Sequence, residues 1–164
     1  MQTDPKIVTR PDQPYAAIAL TVNQPEIGKY APPLIDKVAD WLKTQNSAPV
    51  GAPFFNYVQH LGGGRMVMHA GFPTQAVLAS SANVVTGTLP GGTYATLTHT
   101  GPYMELHEAN MALRDWVHEQ GRTLAETKGN GGETEVTCLE IYHSDPGVDP
   151  SGQPVTEVTF RLAE

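Results

Sequence analysis

The chain has 164 residues, 40% of them hydrophobic, which suits one packed domain and argues against a disordered segment. The 17 acidic and 10 basic residues give a formal net charge of −7, and no basic run occurs. Binding to phosphates requires clustered Lys and Arg, so the composition argues against nucleic-acid and anionic-membrane partners and leaves a cationic partner open.

Other features of the sequence predict a cytoplasmic protein that holds no metal. The segment from Met1 to Pro5 contains neither a basic nor an apolar run, so we expect no signal peptide. No stretch approaches the roughly 20 apolar residues of a membrane span. The single cysteine, Cys138, excludes an internal disulfide and a Cys-based zinc cluster, and we expect a buried, inert thiol. The six histidines show no metal-ligand spacing.

The first half of the chain predicts one strand, one helix and two further strands. The predicted elements are strand Pro14–Val22, helix Pro32–Gln45, strand Phe54–Gln59 and strand Arg65–Phe72. Proline suits the first helical turn, and Leu34, Val38 and Leu42 then fall on one helix face. The segment Thr74–Gly87 is ambiguous between a strand and an extended linker.

The second half of the chain predicts the same order of elements. They are strand Thr93–His99, a helix from Gly101 to Gln120, strand Val136–His143 and strand Val155–Leu162. Leu106, Leu113 and Val117 share one face of this helix, and Gly121 suits its C-cap. Three residue matches support the repetition: Tyr15-Ala16 with Tyr94-Ala95, Asp40-Trp41 with Asp115-Trp116, and Tyr57 with Tyr142.

This repetition predicts an α+β fold in one domain, residues 1–164, with two β-α-β-β repeats at about residues 14–72 and 92–162. A lone repeat exposes one face of its sheet, and two copies related by a pseudo-twofold axis would cover that face. We expect an antiparallel sheet with both helices on one side and a ligand cleft between the repeats on the other.

Strand Val136–His143 is the most informative segment about function. Alternation along a strand places Glu140 and Tyr142 on the same face. A glutamate between Leu139 and Ile141 is unfavourable in a strand and therefore needs a reason. We interpret it as a residue of the cleft.

The corresponding strand of the first copy supplies aromatic residues. Tyr57 corresponds to Tyr142, and Phe55 corresponds to Glu140. A cleft with one carboxylate and several aromatic rings is a suitable receptor for a lipophilic cation. The alternative is structural, with Glu140 solvated or bonded to a loop and both tyrosines in the core. Two histidines, His99 and His143, each stand at the end of a predicted strand and are further candidates for the rim of the cleft.

The segments Pro90–Ala95, His99–Tyr103 and Leu139–Pro146 resemble the GyrI-like small-molecule-binding family. This effector-binding fold also occurs behind the DNA-binding domains of AraC- and MerR-type regulators. The resemblance implies tandem repeats and a cleft for diverse, often cationic or aromatic compounds. It places the family's pocket glutamate at Glu140 and its strand tyrosine at Tyr142. Because the chain begins within this fold, we expect a stand-alone member that captures small molecules.

The resemblance leaves other functions open. Some members look like hydrolases that open the cyclopropane ring of genotoxic natural products, and Glu140 and Tyr142 would then be the catalytic residues. Direct inhibition of an enzyme such as DNA gyrase is a third possibility. A distant relative of the fold binds haem, but no histidine here marks an axial ligand, so no cofactor is predicted. The sequence identifies neither the ligand nor the oligomeric state.

Overall fold

A computed structural model describes residues 1–129, 131–144 and 152–164. Its strands are β1 Lys6–Arg10, β2 Gln13–Asn23, β3 Phe54–Gly62, β4 Arg65–Pro73, β5 Val85–Leu89, β6 Gly92–Thr100, β7 Thr127–Lys128, β8 Thr134–Glu135, β9 Cys138–Ser144 and β10 Val155–Arg161. Its α-helices are α1 Ile27–Tyr30, α2 Pro32–Thr44 and α3 Leu106–Glu119. Short 3-10 turns at Gln24–Glu26 and Tyr103–Glu105 precede α1 and α3. Asp145 and Pro146, which complete the family motif, lie outside the described residues.

The described chain divides into two compact units, and the predicted α+β class with antiparallel strands is confirmed. The N-terminal unit comprises residues 11–91, and its strands lie in the order β3-β4-β2-β5. Helix α2 buries Val38 and Leu42 against Ala16 of β2 and Val84. The apolar face predicted for this helix is therefore the face that packs on the sheet.

The C-terminal unit comprises residues 1–10 and 92–164, and its strands lie in the order β1-β6-β10-β9. Helix α3 packs on β6 and β10. Its buried residues fall on one face, Leu106, Ala109, Leu113 and Val117. The Arg114 guanidinium lies 5.5 Å from the ring centre of Phe160 in β10, so Phe160 is on the sheet face that carries α3.

The two units have the same β-α-β-β order and the same registers. Lys6 of β1 pairs with Thr96, and Val85 of β5 pairs with Ala17, so both partners are shifted by 79 residues. Tyr57 and Tyr142 each precede an irregularity in the pairing of their strands. These matches support our proposal that the units are copies of one repeat.

Strands β1 and β5 are the main additions to the predicted elements. The ambiguous segment Thr74–Gly87 contains no helix and becomes a strand only from Val85 onward. Strand β1 has charged residues at both ends and exposes Ile7, as suits a strand at a sheet edge. No helix in the described ranges is long and apolar enough to cross a membrane.

Candidate functional site

Glu140 is a buried carboxylate near the middle of β9. Only 5% of the Glu140 surface is exposed, and in the β9–β10 pairing Glu140 lies opposite Val158. Oε1 accepts a hydrogen bond from the Tyr142 hydroxyl at 2.6 Å, and Oε2 accepts one from Asn110 Nδ2 at 2.8 Å. Both of these donors are neutral groups, an amide and a phenol, and together they fix the position of the carboxylate.

Asn110 shows which face of the sheet carries the site. It lies in α3, and its Nδ2 also donates to the Leu106 carbonyl one turn earlier at 2.8 Å. Because a helix residue bonds Glu140, this glutamate faces the side of the sheet on which α3 packs. The predicted position of Glu140, in a cleft on the side of the sheet opposite the helices, is therefore wrong.

An aromatic pair lies beside the carboxylate. The Tyr103 and Tyr142 rings meet edge to face, with 5.9 Å between ring centres and an interplanar angle of 88°. Tyr103 comes from the 3-10 turn before α3 and is 44% exposed. An exposed ring next to a buried acid gives a cation both a π surface and a counter-charge. Sequence reasoning missed both Tyr103 and Asn110.

Glu157 of β10 occupies the opposite face of the same sheet. It forms an ion pair with Arg10 of β1, and it accepts hydrogen bonds from Thr96 Oγ1 at 2.6 Å and from His143 Nε2 at 3.0 Å. Burial alone would raise the pKa of Glu157. The bonds from His143 and Thr96 and the charge of Arg10 outweigh burial and lower this pKa to about 2.

The two histidines proposed for the cleft rim lie on opposite faces of the sheet. His143 bonds Glu157 and therefore lies on the face away from Glu140. His99 of β6 lies on the Glu140 face, but it is only 2% exposed. It is part of the interior rather than a rim.

The predicted aromatic residues Phe55 and Tyr57 lie in β3 of the N-terminal unit. Phe55 pairs with Ala70 as Glu140 pairs with Val158, so Phe55 and Glu140 occupy equivalent register positions. Phe55 is buried at 7% exposure, and Tyr57 is partly exposed. Their contact with a ligand remains a prediction.

Other features of the described chain are less suited to a cation or to chemistry. A groove of about 460 Å³ in the N-terminal unit is lined by Ile18, Leu34 and Lys37, and the lysine disfavours a cation. Burial raises the pKa of the Cys138 thiol to about 12, with nearby Arg114 opposing the shift, so it is no nucleophile at neutral pH. No cluster of His, Cys, Asp or Glu within the described residues is arranged to hold a metal ion.

Comparison with known proteins identifies the family. The chain matches the GyrI-like small molecule binding domain over residues 3–163. It belongs to the GyrI-like family. No functionally curated protein sequence matches the chain.

Solved structures share the fold of this GyrI-like chain. The EcmrR C-terminal domain has a TM-score of 0.71 at 18% identity, with 98% of both chains covered. EcmrR in its DNA complex has a TM-score of 0.73 at 17% identity, and the match covers 98% of this chain and 57% of the longer EcmrR chain. The structure of SAV2435 bound to tetraphenylphosphonium has a TM-score of 0.66 at 12% identity, and the match covers 98% of this chain and 94% of SAV2435. A hydrolase from Listeria innocua has a TM-score of 0.58 at 13% identity, and the match covers 97% of this chain and 91% of the hydrolase.

Proposed function

We propose that this GyrI-like chain binds a lipophilic, aromatic cation, with Glu140 as the charge anchor. The observation that carries the proposal is the burial of Glu140 among neutral hydrogen-bond donors, Asn110 and Tyr142. A cation next to this carboxylate gains an ion pair in a low-dielectric surrounding. A neutral ligand of the same shape gains no such pair.

Aromatic rings would supply the rest of the recognition. Tyr142 and Tyr103 form an edge-to-face pair beside the acid, and the 44% exposure of Tyr103 would let an aromatic ligand reach this pair. The tetraphenylphosphonium bound to SAV2435, a protein of the same fold, has the chemistry that this arrangement suits.

The test compares a phosphonium cation with a neutral analogue. Methyltriphenylphosphonium and triphenylphosphine oxide both carry three phenyl rings on phosphorus, and only the first is charged. An ion pair at ~4 Å with an effective dielectric of about 20 contributes up to ~4 kcal/mol, and desolvation leaves roughly 1–3 kcal/mol. Glu140→Gln should therefore weaken phosphonium binding by about ten- to a hundredfold in calorimetric titrations and weaken phosphine oxide binding less than about threefold.

Glu157→Gln is the matched control, because it makes the same substitution on the opposite face of the same sheet. It should leave the affinity of the folded protein for methyltriphenylphosphonium unchanged. Equal losses for the cation and the neutral compound in Glu140→Gln would contradict the proposal. So would a loss of cation affinity in Glu157→Gln as large as that in Glu140→Gln.

Hydrolysis is the second candidate function, favoured by the direct hydrogen bond between Tyr142 and Glu140. In a hydrolase Glu140 would accept a proton from the attacking water, while Tyr142 would donate a hydrogen bond to the negative charge that develops as the C–C bond of the ring breaks. Here Tyr142 already donates to one carboxylate oxygen and Asn110 to the other, which suits a fixed anchor better than a base. Catalytic turnover of a cyclopropane-containing alkylator, abolished by both Tyr142→Phe and Glu140→Gln, would favour the hydrolase; recovery of the compound unchanged would favour the receptor.

A further inference from the structure

Four residues of the C-terminal unit have buried side-chain polar atoms without a hydrogen-bond partner among the described residues, and two of the four, His99 and Thr156, are themselves almost fully buried. Thr156 is fully buried and His99 is 2% exposed, yet Thr156 Oγ1 and both ring nitrogens of His99 make no hydrogen bond. The carboxylate of Glu105 is 3.5 Å from His99 Nε2, too long for a normal hydrogen bond. Buried polar atoms of this kind destabilise a fold and therefore call for a reason.

The strand registers place these two side chains next to the candidate site. Thr156 of β10 pairs with His99 of β6 on one side and with Tyr142 of β9 on the other. Directly paired residues of antiparallel strands point to the same face, with Cβ atoms about 5 Å apart. Tyr142 itself bonds Glu140, so a row of polar groups continues from the carboxylate across three strands.

The turn that follows β6 closes this row at the His99 end. A Cβ atom on Gly101 would come within 3.1 Å of His99 Nε2 and 2.9 Å of Glu105 Oε1, so the turn lies directly on the imidazole. The Glu105 side chain is 46% exposed and Met104 is 86% exposed. Because Glu105 already reaches water, it can swing away from His99 at little energetic cost.

We propose that His99 and Thr156 form a hydrogen-bonding subsite beside Tyr142, the residue that bonds Glu140, and that this subsite holds a hydroxyl or carboxamide group of the ligand. An imidazole can offer one N–H donor and one nitrogen acceptor, and a threonine hydroxyl both donates and accepts. Such a pair fits a group that also does both. The inference rests on the proposed function and narrows the ligand class to aromatic cations that carry a hydroxyl or amide on a short arm.

The test uses two phosphonium cations that differ in one group. Hydroxypropyl-triphenylphosphonium and butyl-triphenylphosphonium have arms of equal length, ending in a hydroxyl and a methyl group respectively. The wild-type chain should bind the hydroxyl compound about tenfold more tightly in calorimetric titrations, which corresponds to about 1.4 kcal/mol. Thr156→Val and His99→Phe should each reduce that preference to less than about threefold.

Thr159→Val is the matched control, because Thr159 is also fully buried in β10 but faces the other side and donates to the Ala95 carbonyl at 3.1 Å. It should keep the tenfold preference. Thr156→Val should melt no lower than wild type, since it removes a hydroxyl without a protein partner. Thr159→Val breaks an existing bond and should melt lower.

The outcomes separate this inference from the proposed function. Equal affinities of the two cations for wild type, with both weakened in Glu140→Gln, would overturn the subsite and keep the charge anchor; the buried groups would then hold only water. A preference that survives in both Thr156→Val and His99→Phe would also overturn the subsite. Failure of the chain to bind either cation would overturn the proposed function and the subsite together.

Discussion

Two glutamates on adjacent strands of the C-terminal unit have opposite surroundings. Glu157 meets the Arg10 guanidinium and His143, so the fold itself supplies a counter-charge. Glu140, on the other face, is held by an amide and a phenol. Both side chains are largely buried and both accept two or more hydrogen bonds. This difference between charged and neutral donors is the basis for our proposal that Glu157 stabilises the fold and that Glu140 serves a ligand.

The largest expected effect is the loss of folding stability when Glu157 is replaced. Glu157→Gln removes the charge that pairs with Arg10 and leaves the Arg10 side chain, which is 31% exposed, without this counter-ion. Breaking a buried ion pair lowers the free energy of unfolding by roughly 3–5 kcal/mol, and partial hydration of Arg10 should reduce this loss to about 2 kcal/mol. Urea unfolding at neutral pH measures the difference. Glu140→Gln should change stability by less than about 1 kcal/mol, because a glutamine still bonds Asn110 and Tyr142.

This outcome would be contradicted by equal stabilities of Glu157→Gln and wild type, or by a larger loss in Glu140→Gln than in Glu157→Gln. In the second case Glu140 would be the structural acid. The functional difference between the two faces would then be lost.

Wild type and Glu157→Gln should also differ in how their stability depends on pH. The pKa of Glu157 is lowered in the fold to about 2, below its ordinary value of 4.5. The unfolded chain therefore takes up this proton first, and the stabilisation by Glu157, complete above about pH 4.5, is lost as pH falls toward 2. The gap in unfolding free energy between wild type and Glu157→Gln should narrow across this range. A gap that stays constant down to pH 2 would show that the charge of Glu157 is not responsible.

Local sequence patterns predicted the elements because each depends on neighbours in the chain. Helix α2 begins at Pro32, where proline fits the first turn, and Val38 and Leu42 are buried as their spacing indicated. The period of two along a strand also brought Glu140 and Tyr142 to one face, and their hydrogen bond confirms it.

Contacts between distant segments could not be predicted in the same way. Arg10 and Glu157 are separated by 147 residues, and no local pattern links them. Asn110 and Glu140 are 30 residues apart, although one signal was available. Asn110 lies four residues after Leu106 and three before Leu113, on the apolar face of α3, where a polar residue needs a buried partner.

The smallest expected effects come from two variants that each remove one hydroxyl from one glutamate. Tyr142 donates to Glu140 and Thr96 donates to Glu157, in both cases at 2.6 Å. Tyr142→Phe keeps the ring beside Tyr103 and leaves Glu140 bonded by Asn110, so stability should fall by no more than about 1 kcal/mol. Cation affinity should fall about threefold, because the anchor is less firmly positioned.

Thr96→Val should show the reverse profile. It removes one of the bonds that keep the pKa of Glu157 low, so that pKa should rise toward 4.5 and stability at neutral pH should fall by about 1 kcal/mol. Affinity for methyltriphenylphosphonium should not change, because Glu157 faces away from Glu140. Calorimetric titration and urea unfolding of both variants measure the two effects side by side. If Thr96→Val weakened cation binding as much as Tyr142→Phe, the two faces would act as one site, and Glu140 alone would not account for recognition of the charge.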